Sequence, residues 1–222
     1  MTRRFPSRYI VARALAAAAF TAAAAMAGAC TDTVREGEGS AFLVIDSLTA
    51  VPGSSGSSEG SSTGGNTLES DVCIRTGTTG GCGVAEDFGQ VTMRLAPKDI
   101  TAPLSTNNDV TITRYRVQYR RSDGRNTPGV DVPYGFDGAI TFTVSESASS
   151  ATFALVRVQA KLEPPLTQLV NLGGSVAIST IADVTFFGRD QTGREAQVTG
   201  SILVTFADWA NAPSSNGSGG GS

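Results

Sequence analysis

The chain contains no histidine in 222 residues. That absence excludes Ser-His-Asp and Cys-His nucleophile arrangements, histidine metal sites and histidine-based pH switching. Charge of one sign is also scarce. The 17 basic and 20 acidic side chains give a formal charge of −3, and the arginines are scattered. A nucleic-acid binder should carry a concentrated basic patch, so that class is set aside. Aromatics make up only 7%, with one Trp, and there are three cysteines. Long apolar runs are missing except at 14–29, which as a helix would reach roughly 24 Å, short of a hydrocarbon core of about 30 Å.

What is present begins with an address. Arg3, Arg4, Arg8 and Arg13 form a positive segment ahead of the Ala-rich run, which closes on small residues. This is the layout of a secretory signal peptide over 1–29. Read instead as an uncleaved anchor extended upstream, the segment would have to bury or snorkel Arg13. Thr2-Arg3-Arg4-Phe5 looks like a twin-arginine signal, but its phenylalanine comes one residue too early, so it is taken as an ordinary basic leader. Ala27-Gly28-Ala29-Cys30 resembles the lipobox of bacterial lipoproteins, with Ala27 where leucine is usual. The resemblance implies diacylglycerol on the Cys30 sulfur, cleavage before Cys30 and a fatty acyl chain such as palmitate on the new amine. Two or more chains anchor stably where one does not. The plain alternative is an ordinary signal peptide with an incidental cysteine. By the same resemblance, Thr31 in place of Asp implies outer-membrane sorting. Removal of 1–29 takes four arginines and no acid, leaving 13 basic against 20 acidic side chains, formally −7. So acidic a chain will not adsorb to anionic lipid through its own surface.

With Cys30 lipidated, Cys73 and Cys82 remain as an even pair in an oxidising compartment, separated by a Gly/Thr-rich stretch. A structural disulfide is expected. A redox site would want a closer pair, and a zinc site more ligands.

The mature chain divides by composition. Residues 30–40 read as lipid anchor and tether, 41–210 as a β domain, 53–65 as a Gly/Ser-rich loop or linker, and 211–222 as a disordered Gly/Ser tail. AFLVIDSLTAV at 41–51 is the first strand-like run. Beyond it the apolar period is 2, as in half-buried antiparallel strands. Val91, Met93 and Leu95 carry it, as do Ile140, Phe142 and Val144. Val156, Val158, Ala160 and Leu162 form another series, followed by Ala182, Val184 and Phe186, and then Val198, Ile202, Val204 and Phe206. Residues 189–194 (RDQTGR) supply a hairpin turn. Only 166–170, after Pro164-Pro165, suits a short helix. Val110 and Ile112 fall out of phase with Tyr115, Val117 and Tyr119, and Phe153 and Leu155 with Val156 and Val158; a bulge or sheet crossing repairs such slips. The expected fold class is all-β, an antiparallel two-sheet sandwich of seven or eight strands. The final hairpin and the strand RYRVQYR resemble parts of immunoglobulin and fibronectin type III-like domains. Residues 114–144 and 179–209 resemble predicted lipoproteins of environmental bacteria. Neither resemblance carries a catalytic signature.

Candidate sites are few. Arg114, Arg116, Gln118 and Arg120 share one strand face, with Arg121 following; they form either an anion-binding stripe or a solvated face paired with acids. The connector 122–138 gathers Asp123, Asn126, Asp131, Tyr134 and Asp137 among glycines and prolines. Such loops often bind ligands or partners. Its oxygens match no calcium-loop spacing, and Asp and Asn also build turns. Tyr134 and Phe136 offer either an aromatic contact or core packing. Trp209 either caps the core edge or stands as a surface anchor. The acid pairs Glu86-Asp87 and Asp190-Glu195 have nothing around them in sequence to suggest a pocket. No catalytic residue, metal or cofactor is expected. The reading is a lipid-anchored envelope protein that binds an envelope protein partner or serves a structural role. The alternative is a glycan or small-molecule module using the 122–138 connector.

Overall fold

The structure, a computed structural model, describes residues 39–53, 65–75 and 81–209. The expected signal segment, Cys30, nearly all of the tether, the interior of the 53–65 insertion and the 211–222 tail lie outside the described residues. The described chain is mostly β, in agreement with the expected all-β class. In order it forms β1 (Ala41–Val51), β2 (Thr67–Asp71), β3 (Ile74–Arg75), β4 (Cys82–Gly83) and β5 (Asp87–Pro97). There follow β6 (Val110–Arg120), β7 (Phe136–Val144), β8 (Ser149–Val156), a one-turn helix α1 (Val158–Lys161), β9 (Ile178–Asp190) and β10 (Glu195–Ala207).

Strands β1, β5 and β8 make a three-stranded antiparallel sheet in the order 1-5-8. A second sheet runs 2-10-9-6-7, antiparallel except for the parallel pair β2–β10, and curls into a half-barrel. Strands β3 and β4 form a separate small ribbon. The two larger sheets feed one apolar cluster. Val91, Met93, Leu95, Phe153 and Leu155 come from the first, and Ile112, Val117, Val184, Phe186, Val204 and Phe206 from the second. Alternation along each strand places these side chains inside, with threonines, serines and arginines outside.

Both phase slips fall on register irregularities. The ladders of β6 with β7 and β9 shift between Ile112 and Arg114. The extra residue lets Val110 and Ile112 face the core before the bulge, and Tyr115, Val117 and Tyr119 after it. In β8, Leu155 and Val156 are both buried, and the β5 ladder shifts opposite them between Asp87 and Phe88. Two aromatic rings cross the strands onto glycines. Phe153 lies against its partner Gly89, and Tyr115 against Gly138, where any Cβ would meet the ring. The rings then meet each other across the sheets, with centroids 5.1 Å apart.

One expectation is corrected. The series Val156, Val158, Ala160, Leu162 does not continue as a strand: β8 ends at Val156, and Val158–Lys161 turns into α1. Val156 and Ala160, four residues apart, are buried, whereas Val158 and Leu162 are exposed. That is helical spacing, i to i+4, which a short period-2 reading cannot distinguish over five residues. Leu166–Leu169 forms a 3-10 turn where a short helix is expected. The 190–194 hairpin closes with the Asp190 N–H donating to Arg194 O at 3.0 Å, and Gly193 takes the left-handed φ of 84° that the turn needs. Cys73 and Cys82 are joined by the expected disulfide, which staples the β3–β4 ribbon.

Candidate functional site

The arginine stripe of β6 faces solvent, and its arginines pair with acids on the flanking strands. Arg114 and Arg116 reach Asp137 on β7 at 3.1 and 2.9 Å, and Arg120 reaches Asp183 on β9 at 2.5 Å. These pairs follow from register, since Arg116 lies opposite Asp137 and Arg120 lies on the diagonal from Asp183, two residues beyond its partner Gln118. Asp137 is held below the usual carboxylate range by Arg116 first, with Arg114 adding to it. The stripe's three arginines are thus engaged by two carboxylates on the flanking strands.

The 122–138 connector is ordered by its own polar groups. Asp123 accepts from Arg121 and Arg125, with ion-pair distances of 2.7 and 2.9 Å, and these two cations hold its carboxyl far below the ordinary range. Asn126 Oδ1 accepts the Arg121 N–H at 2.6 Å, and Asp131 Oδ2 accepts the Thr127 N–H at 3.2 Å. Thr127 O collects the N–H groups of Val130, Asp131 and Val132. Val132 and Phe136 are buried in the core. Asp123, Asn126, Asp131 and Asp137 therefore serve separate local contacts and do not converge. Among the described residues no three His, Cys, Asp or Glu side chains gather as metal ligands. Ser122, Asp123, Arg125, Asn126 and Thr127 are exposed, and so are two large apolar side chains, Val130 at 66% and Tyr134 at 51%. The Tyr134 ring lies against Gly129, whose φ of 77° and missing Cβ make room for it beside Val130.

A second cluster, buried and polar, escaped the sequence reading. Asp87, the first residue of β5, is fully buried. Its Oδ2 lies 2.9 Å from Lys161 Nζ and accepts the Ser70 hydroxyl at 2.6 Å, while Oδ1 accepts the Gly53 N–H at 2.8 Å. Lys161 is 2% exposed, the largest fully buried side chain described. Next to Ser70 on β2, Asp71 Oδ1 accepts the N–H groups of Cys73 and Trp209 at 3.0 and 3.3 Å. Burial pushes the Asp71 carboxyl up against the opposing pull of those N–H groups, and both Asp208 and Lys161 act on it electrostatically. Asp208 is buried and gripped by both Arg75 guanidinium nitrogens at 2.8 and 2.7 Å, with the Asn171 N–H at 2.5 Å. Arg75 accordingly lowers the Asp208 carboxyl. Asn171 adopts φ 67°, a conformation tolerated by Asn, to aim that N–H. Trp209 is half-buried beside Gly174, with its indole N–H unpartnered among the described residues.

Of the buried charges in this cluster the sequence singles out Asp87 alone, and then with Glu86 as an acid pair. Its partner is a lysine more than seventy residues downstream, so spacing does not reveal the pair. Lys161 alternates with apolar residues as Arg157 and Gln159 do, so nothing in the sequence marks it as buried. Asp190 is a turn acceptor for Thr192 and Arg194, and Glu195 pairs with Arg189 at 2.6 Å.

Among the described residues no helix is long and apolar enough to cross a membrane. Comparison with known proteins finds no matching family model, curated protein or solved structure.

Proposed function

We propose that this chain is a bacterial envelope lipoprotein, anchored through lipid on Cys30, whose immunoglobulin-like two-sheet sandwich binds a protein partner through the 122–138 connector. The fold part of this reading is supported by strand order. The run β10-β9-β6-β7 has the sequence of a G-F-C sheet with an added C′ strand, and β5 beside β8 that of a B-E pair. The observation that carries the binding part is the connector tip. Its acids are already committed to arginines and turn N–H groups, and its large exposed apolar side chains are Val130 and Tyr134. A small ordered apolar tip amid neutralised charge suits a protein surface better than a metal or an anion. Lipid on Cys30 would hold that tip at a membrane without help from the acidic domain surface.

Chemical cross-linking in intact cells followed by purification from membranes tests the reading. A fixed stoichiometric partner is expected, and Val130→Asp should release it while the protein still reaches the membrane. Recovery of the bait alone, with positive cross-linking controls, would overturn it. A glycan ligand is the second reading, favoured by the exposed Tyr134 ring near Asp131. It requires that the Asp131→Ala, Tyr134→Ala double variant lose binding to a glycan array.

A further inference from the structure

The pair at the heart of the buried cluster is an unusual thing to leave ionic. Both side chains are essentially without solvent contact, 1% for Lys161 and 0% for Asp87, and Nζ stands 2.9 Å from Oδ2. A buried ion pair regains the desolvation of its charges only with ideal geometry. Proton transfer within the pair leaves an uncharged amine against an uncharged acid, the two forms that condense. Holding a desolvated lysine amine against a carboxyl carbon is itself a large part of the barrier to amide formation.

We propose that Lys161 and Asp87 form an intramolecular isopeptide bond. The Nζ lone pair attacks Asp87 Cγ and the C–N bond forms. Negative charge develops on Oδ1, where the Gly53 N–H already donates at 2.8 Å. The proton leaving Nζ passes to Oδ2, which stands 2.9 Å away. The Ser70 hydroxyl, 2.6 Å from Oδ2, steadies that departing oxygen. The Cγ–Oδ2 bond breaks and one water leaves. Nothing is oxidised or reduced. The bond ties the first residue of β5, in the three-stranded sheet, to α1, on the crossover between β8 and β9. It would therefore tie the three-stranded sheet to the crossover that leads into the second sheet.

Mass spectrometry of the membrane-purified protein, reduced and digested with trypsin, decides the matter. Arg75, Arg94, Arg157 and Arg189 bound two peptides, 76–94 and 158–189, and the second contains Lys161. The bond makes one branched species, uncut after Lys161 and about 18 Da lighter than the two peptides together, the mass of one water. Recovery of 76–94 alone, with cleavage after Lys161, overturns the proposal and leaves a buried ion pair. Loss of water confined to the Asp-Gly steps at 123–124 or 137–138 overturns it as well, since that is cyclisation of the aspartate. Lys161→Arg keeps a cation at the site and should abolish the branched species.

Discussion

At the residue scale, the buried polar groups set how stability depends on pH and on single atoms. Tyr119 is buried and its hydroxyl donates to Leu155 O at 2.7 Å, joining β6 of one sheet to β8 of the other. Tyr119→Phe removes that donor and should lower stability by about 1 kcal/mol in urea unfolding, with the slope unchanged. The carboxylates divide by sign. Asp208, Asp137, Asp183 and Asp190 are lowered in the folded state, so the stability they give is present above the ordinary aspartate value and is lost as pH falls through their folded values. Asp71 is raised, so its ionisation opposes folding and that penalty is relieved as pH falls. The urea midpoint should therefore rise as pH drops from neutral toward the carboxylate range, and then collapse below about 3.9. Asp71→Asn should flatten the upper part of that curve and leave the acid collapse in place. A midpoint that falls monotonically from neutral pH would contradict the assignment of Asp71.

Elements are where the sequence speaks best, and where its silence can be explained. The first strand coincides with 41–51, and the alternating series at 91–95, 140–144, 182–186 and 198–206 all lie on strands with the expected face inward. The bulge between Ile112 and Arg114 is legible because a change of parity in buried residues leaves no other way to keep both halves in the core. The irregularity in β1 between Ile45 and Ser47 is not, since Asp46 there answers Arg94 on a neighbouring strand. Helix α1 is hidden because five residues of alternation serve either period. Asp137 is legible as a residue but not as a partner, because the β6–β7 register decides which arginines it meets, whereas Asp123 and Asp131 pair within the connector. The Lys161–Asp87 pair is beyond sequence reading, since both residue types ordinarily stay at the surface. The cross-strand rings give the sharpest element-level test. Gly89→Val would press a branched side chain into the Phe153 ring, and a loss of about 1–3 kcal/mol is expected in urea unfolding. The disulfide closes a short loop, and Cys73→Ser with Cys82→Ser should lower stability by about 2.7 kcal/mol on the chain-entropy estimate.

On the scale of the whole molecule, the chain combines a basic, Ala-rich first segment, an excess of acidic side chains and a domain whose exposed strand arginines are engaged by acids. The lipid reading has a direct consequence. Cys30→Ser should leave the protein in the soluble fraction after export or stalled with its leader, and the N-terminal peptide of the native protein should carry diacylglycerol; an unmodified Cys30 thiol there would contradict it. Partner binding is the larger claim, and one placement tests it. A photo-reactive amino acid at Val130, with a second protein carrying it at exposed Thr141 on β7 as control, should be irradiated in intact cells and the adducts identified. A single discrete adduct at Val130 and none at Thr141 is the expected result. No adduct at either position, or the same adducts at both, would contradict the assignment of the connector as the binding surface.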